Sequence, residues 1–216
     1  MKKNVMMRVA SALLVAVLMT TCAISGTFAK YTTTAEGADT ARVAKWGVTI
    51  TGLSSSNAMF ADSYTNGDSE VIVDADVKVV APGTSGDFGT ITISGDPEVA
   101  FKTTYEVTFE LGDNWKVGAE EYCPIVFTVN GDDFQLGVGG IASINDLETA
   151  VIEAIEDLSK EYTTAQAVNE TIEISWAWEF STSDANDVKD TALGDAFNAE
   201  INFSIKCTVT QIDDLA

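Results

Sequence analysis

Apolar and polar positions alternate with a period of two along most of this chain, the pattern of strands buried on one face. Trp46-Gly47-Val48-Thr49-Ile50-Thr51 opens the series, and residues 71–79 repeat it up to Pro82-Gly83. Residues 88–93 form a third run, stopped by Gly95-Asp96-Pro97. The longest run spans 99–111, with Phe101, Thr103, Tyr105, Val107, Phe109 and Leu111 on one face and a turn at Gly112-Asp113-Asn114. Residues 125–129 follow, turned by Asn130-Gly131-Asp132 toward a short partner at 134–136. Residues 171–180 and 201–210 complete the set. Between these runs, 54–69 and 181–194 are polar and read as loops.

The period changes at residues 143–162. Ile144, Leu147, Val151, Ile155, Leu158 and Tyr162 recur at three and four residues, the stripe of an amphipathic helix. Ser143 stands as its N-cap, with Asp146 three residues later. About eight strands with turn signals and one inserted helix predict an all-β fold: an antiparallel, jelly-roll-like β-sandwich over residues 46–216.

The N-terminus has neither period. Lys2, Lys3 and Arg8 precede an apolar run at 9–19, which is short for a permanent membrane span. Thr27-Phe28-Ala29 carries small residues at the two positions that signal cleavage requires. Residues 1–29 are therefore expected to be a signal peptide cut between Ala29 and Lys30, leaving a secreted chain without a membrane segment. The cut exposes residues 30–45, a Thr/Ala-rich arm with weak alternation and no proline. Fully extended, it reaches about 50 Å. Tyr31, Thr32, Thr33, Thr34, Ala41 and Val43 are its candidate pairing residues.

Charge narrows the partners. The chain holds 12 basic and 33 acidic side chains, a net −21. Lys2, Lys3 and Arg8 are the only charged residues of positions 1–29, so the mature chain keeps 9 basic and 33 acidic and carries −24. Such a body repels nucleic acid and anionic membranes. There is no histidine, which excludes imidazole-based nucleophilic mechanisms and the His-Glu-x-x-His zinc motif. The composition points away from an enzyme.

Three further features are open to two readings each. Cys123 and Cys207 form either one disulfide or two buried thiols. Asp184, Asn186, Asp187 and Asp190 make either an ordinary Asp/Asn-rich turn or oxygen ligands for calcium, the one cofactor suggested. Trp176 and Trp178 share a strand face, as core residues or as a sugar platform.

The Gly26-Thr27-Phe28-Ala29-Lys30-Tyr31 junction and the arm running to Val43-Ala44-Lys45-Trp46 resemble the TasA/camelysin family of secreted Gram-positive proteins. So does Trp176-Ala177-Trp178-Glu179-Phe180 followed by Asp187 and Asp190-Thr191-Ala192-Leu193-Gly194. The resemblance implies processing by a dedicated, ER-type signal peptidase and a jelly-roll domain at the cell surface or in the biofilm matrix. It implies head-to-tail self-assembly into fibres with other matrix components, the arm of one subunit completing the sheet of the next. It also carries a second label, the metalloprotease activity attached to camelysin.

Overall fold

The computed structural model describes residues 3–25, 40–53, 59–60, 63–66, 69–72, 78–180, 183–196 and 198–212. The chain divides into two units, Met1–Arg42 and Val43–Ala216. The first contains helix α1, Lys3–Ser25. Among the described residues no helix is long and apolar enough to cross a membrane.

The second unit is mostly antiparallel β-structure. Strands β1 (Val48–Thr51), β4 (Thr84–Gly95), β11 (Val168–Trp178), β8 (Val126–Val129) and β9 (Asp132–Phe134) form a five-stranded sheet in that spatial order. Strands β10 (Lys160–Tyr162), β5 (Phe101–Leu111) and β12 (Ile201–Gln211) form a three-stranded sheet. Two further hairpins pair separately: β2 (Ser63–Asn66) with β3 (Ser69–Ile72), and β6 (Lys116–Val117) with β7 (Glu120–Glu121).

Alternation decides which faces meet. On β5, Phe101, Thr103, Tyr105, Phe109 and Leu111 are buried while Lys102, Glu106 and Glu110 are exposed. On β11, Val168, Ile172, Ile174, Trp176 and Trp178 are buried. The two inner faces close on each other through aromatic rings: Phe109 of β5 lies edge-on to Phe127 of β8 at 4.8 Å, and Phe88 of β4 edge-on to Phe203 of β12 at 5.3 Å. Phe88 reaches that contact from a bulge. The β11–β4 register slips between Glu173↔Thr90 and Ser175↔Asp87, leaving two β4 residues, Phe88 and Gly89, opposite Ile174. Gly89 takes φ +83° there, a conformation a side chain would strain.

Turn chemistry fixes the β8–β9 hairpin. Val129 pairs with Asp132 across Asn130 (φ 51°) and Gly131 (φ 91°), the two positive-φ residues of a tight hairpin turn. The partner strand is therefore Asp132–Phe134, starting two residues earlier than expected.

Helix α2, Ile144–Glu156, begins at the expected cap. Ser143 Oγ accepts from the Asp146 N–H and the Asp146 carboxylate accepts from the Ser143 N–H, a reciprocal box that satisfies two otherwise unpaired donors. Leu147, Val151 and Ile155 are buried, and Glu148 accepts from the Leu111 N–H of β5. The helix ends six residues before the expected Tyr162. After the Asp157 cap the chain turns, and Lys160–Tyr162 becomes strand β10 against β5. Tyr162 still faces the core, stacked on Phe101 at 4.3 Å, so its apolar position fitted the helical stripe for a different reason.

Two polar stretches read as loops hold regular structure. Residues 54–69 include β2 and the first residue of β3, joined across Asn66↔Ser69. Residues 181–194 contain most of helix α3, Asp184–Ala196. Of the strand expected at 71–79, residues 71–72 belong to β3, 78–79 lie in no element, and 73–77 fall outside the described residues.

Candidate functional site

Among the described residues, the longest strand at a sheet edge is β12. This strand bonds along its whole length to β5, from Ile201↔Leu111 to Gln211↔Phe101. On its other side no strand lies among the described residues. Its inward row is Ile201, Phe203, Ile205, Cys207 and Val209, and every one of these is only half-buried. The residues opposite them on β5, apart from Val107, are buried. One strand fewer over β12 is the physical difference. The other edge strands, β1, β9 and β10, have four, three and three residues, against eleven for β12. Edges this long are ordinarily blunted by proline or inward charge. β12 has no proline, and its one charged residue, Lys206, is exposed and paired with Glu106 at 2.9 Å.

The start of β12 borders a cleft of about 510 Å3, lined by apolar side chains such as Trp115, Trp178, Leu193 and Ile201 and by the charged Lys78 and Glu200. Trp115 and Trp178 pack at 6.2 Å in its wall.

The arm residues divide between described and undescribed. Ala29, Lys30, Tyr31, Thr32, Thr33 and Thr34 lie outside the described residues. Ala41 and Val43 belong to an exposed stretch, 40–47, with no regular structure. That stretch is tied down at Lys45, whose N–H donates to Glu98 Oε2 (2.8 Å) and whose carbonyl accepts from the Glu98 N–H (2.9 Å).

The other sequence candidates resolve as follows. Cys123 and Cys207 are free thiols, so the disulfide is not formed. Cys123 is buried in the segment leading into β8, where burial pushes its thiol up to about 12. Cys207 is half-buried opposite Tyr105, and burial raises its thiol too, against a lowering contact from Tyr105. Trp176 and Trp178 are 1% and 4% exposed, which leaves no ring face for a sugar. Trp176 instead donates from Nε1 to the Met59 carbonyl at 2.9 Å.

The Asp/Asn cluster sits on a helix rather than a loop. Asp184 and Asp187 occupy the first turn of α3, where carboxylates complement the exposed N–H groups and the helix dipole. With Asn186 they are exposed, while Asp190 is buried and accepts from the Tyr122 hydroxyl at 2.6 Å. Burial, followed by the Asp190 hydrogen bond and charge, holds the Tyr122 phenol above its ordinary range. The bond ties α3 to the segment before β8. Among the described residues no group of three or more acidic or cysteine side chains is arranged to hold a metal ion.

No protein-family model matches the chain, and a search of curated proteins finds no match either.

Sequence reasoning found β12 as a strand but not as an open edge. Its alternation was visible, yet nothing local says which side of a strand lacks a neighbour. The cleft beside it was also missed, because its walls come from six separate stretches of the chain.

Proposed function

We propose that this protein is a secreted structural subunit of an extracellular fibre or matrix. Residues 1–29 act as a signal peptide removed by a dedicated signal peptidase, and the arm 30–45 of each mature copy pairs along β12 of the next. The observation that carries this reading is the half-buried apolar row of β12 beside an edge with no neighbouring strand among the described residues. An inserted strand would satisfy the edge's backbone groups and cover that row. The finer description of the fold, a jelly roll one strand short, belongs to the same proposal. So do localisation at the cell surface or in the matrix and association with other matrix components.

The contact is head-to-tail: arm and edge are different surfaces, so it propagates into open filaments rather than closing as a dimer. Charge opposes it. With −24 on each mature chain, neighbouring subunits repel, and acid, salt or divalent cations reduce that repulsion. Calcium enters the proposal in that role, with Asp184, Asn186 and Asp187 exposed to receive it. The protease and sugar-binding alternatives have less support, given the absent histidine and the two buried tryptophans.

Electron microscopy of the mature chain, residues 30–216, tests the reading. Dispersed particles are expected at neutral pH and low salt. Filaments are expected once the pH falls to about 4, where carboxylates begin to protonate, or once salt screens the charge. Dispersed particles under all these conditions would sink the proposal.

A further inference from the structure

A second cleft, of about 630 Å3, lies where strand β7, the segment leading into β8, the residues after β11 and helix α3 come together. Four carboxylates line it, Glu120, Glu121, Glu179 and Asp190, and no lysine or arginine does. One of the four is answered by a neighbour: Lys189 Nζ pairs with Glu120 at 3.2 Å and lies 5.2 Å from the centre of the Tyr122 ring. Glu121 accepts from the Ile144 N–H at 2.8 Å, and it, Glu179 and Asp190 have no basic partner among the described residues. Asp190 is 8% exposed. Its Oδ1 accepts from the Tyr122 hydroxyl, while Oδ2 has no donor among the described residues and is not sealed from the cleft. A carboxylate buried to that extent ordinarily has a cation or several donors beside it.

The same walls hold an exposed aromatic ring. Phe180 lines the cleft and is 59% exposed. The backbone at Gly83 supports it, since a Cβ there would come within 2.1 Å of the ring. Tyr122, Pro124 and Leu136 add further apolar surface. We propose that this cleft binds an organic cation, an alkylammonium or guanidinium group carried by a polyamine or by a basic peptide. The sign of the lining excludes an anion. The spread of the carboxylates argues against a bare metal ion, because among the described residues no three of them converge on one point. An aromatic face beside unpaired carboxylates suits a cation that also has an apolar stem. Lys189, set between Glu120 and the Tyr122 ring, makes that contact within the chain. Phe180, Glu179 and Asp190 offer the same groups to a ligand. The inference goes beyond the fibre reading and does not depend on it.

Calorimetric titration of the chain 30–216 at neutral pH and low salt tests it, with spermine and a tri-arginine peptide as separate probes. At least one should bind at one site per chain. Binding of both assigns recognition to the cationic group itself, and binding of one names its source. Glu179→Gln and Phe180→Ala change exposed side chains, so both should fold normally, and together they should weaken binding about tenfold or more. Asp190→Asn keeps an oxygen for the Tyr122 hydroxyl, removes the buried charge and should weaken binding by a similar factor. Glu110→Gln removes one charge from the outer face of β5 and should leave binding unchanged.

Several weak sites per chain, or equal losses from E110Q and E179Q, would mean that net charge alone attracts the probes and would overturn the proposal. So would the absence of binding by either probe. Calcium chloride binding more tightly than both probes, and lost with E179Q or D190N, would overturn it in favour of a metal site. Should D190N fail to fold, the E179Q and F180A pair decides, and unchanged binding by that pair overturns the proposal.

Discussion

A mature chain lacking residues 30–42 is expected to fold and melt like the complete mature chain and to form no filaments under acid or high salt. The two halves of this result have separate causes. Val43–Ala216 is its own unit, and the truncation keeps Lys45 bonded to Glu98. Residues 40–42 are exposed and belong to no strand, so no buried side chain leaves with them. Assembly loses everything, because the proposed contact has no other donor. The β12 edge stays open in the truncated chain, but the strand that would cover Ile201, Phe203, Ile205, Cys207 and Val209 is gone. Thermal melting and electron microscopy on the same sample check both halves. Filaments from the truncated chain would show that the arm is not the donor.

Phe109→Ala should cost about 3–5 kcal/mol of folding stability, read from urea denaturation. Phe109 is 2% exposed and holds the two sheets together, edge-on to Phe127 of the five-stranded sheet at 4.8 Å and to Phe203 of β12 at 6.3 Å. Truncation removes an aromatic ring whose surroundings are pinned by hydrogen-bonded strands, so the cavity cannot close fully. Domains of this size are stable by about 5–15 kcal/mol in all, so the variant should stand near the limit of folding. Lys206→Ala, on the outer face of β12, is the comparison. Its ion pair to Glu106 is solvent-exposed on both sides, and its loss should shift stability by under about 1 kcal/mol. Equal effects from the two variants would contradict the assignment of inner and outer faces.

The strand faces were legible because they depend on a local period. Phe101, Tyr105 and Phe109 on β5, and Ile172, Ile174 and Trp176 on β11, alternate with polar residues and point inward as that alternation requires. The cap of α2 was legible for the same reason, since Ser143 and Asp146 act on backbone groups within one turn. The end of α2 was not. Leu158 and Tyr162 continue the helical stripe in sequence, but they reach the core from a turn and from β10, and apolar spacing cannot tell those paths from a further helical turn. Helix α3 was hidden by its composition, with Asp190 and Leu193 as its buried residues and Asp, Asn and Thr elsewhere favouring turns. Its signal lay in placement: Asp184 and Asp187 in a first turn after Ser183, whose carbonyl accepts from the N–H groups of Asn186 and Asp187. The β2–β3 hairpin carried an Asn66-Gly67 pair, a turn signal outweighed by the polarity of its flanks. The candidate site was the least legible part. The arm could be seen as a segment in search of a partner, but the open edge and the cleft exist only once β5, β12, β11 and α3 have come together.

Cysteine cross-linking tests the pairing of arm and edge most directly. Cys207 is a free, half-buried thiol in the open row of β12, Cys123 is buried with its thiol pushed up to about 12, and Cys22 leaves with the proposed signal peptide. Single cysteines placed at Thr32, Thr34, Ala41 and Val43 therefore have one accessible native partner. Filaments of these variants, oxidised and run on a denaturing gel, should give a ladder of covalent multimers from at least one position, and Cys207→Ser should erase it. Filaments that yield no ladder from any arm position, or a ladder that survives Cys207→Ser, would contradict the account.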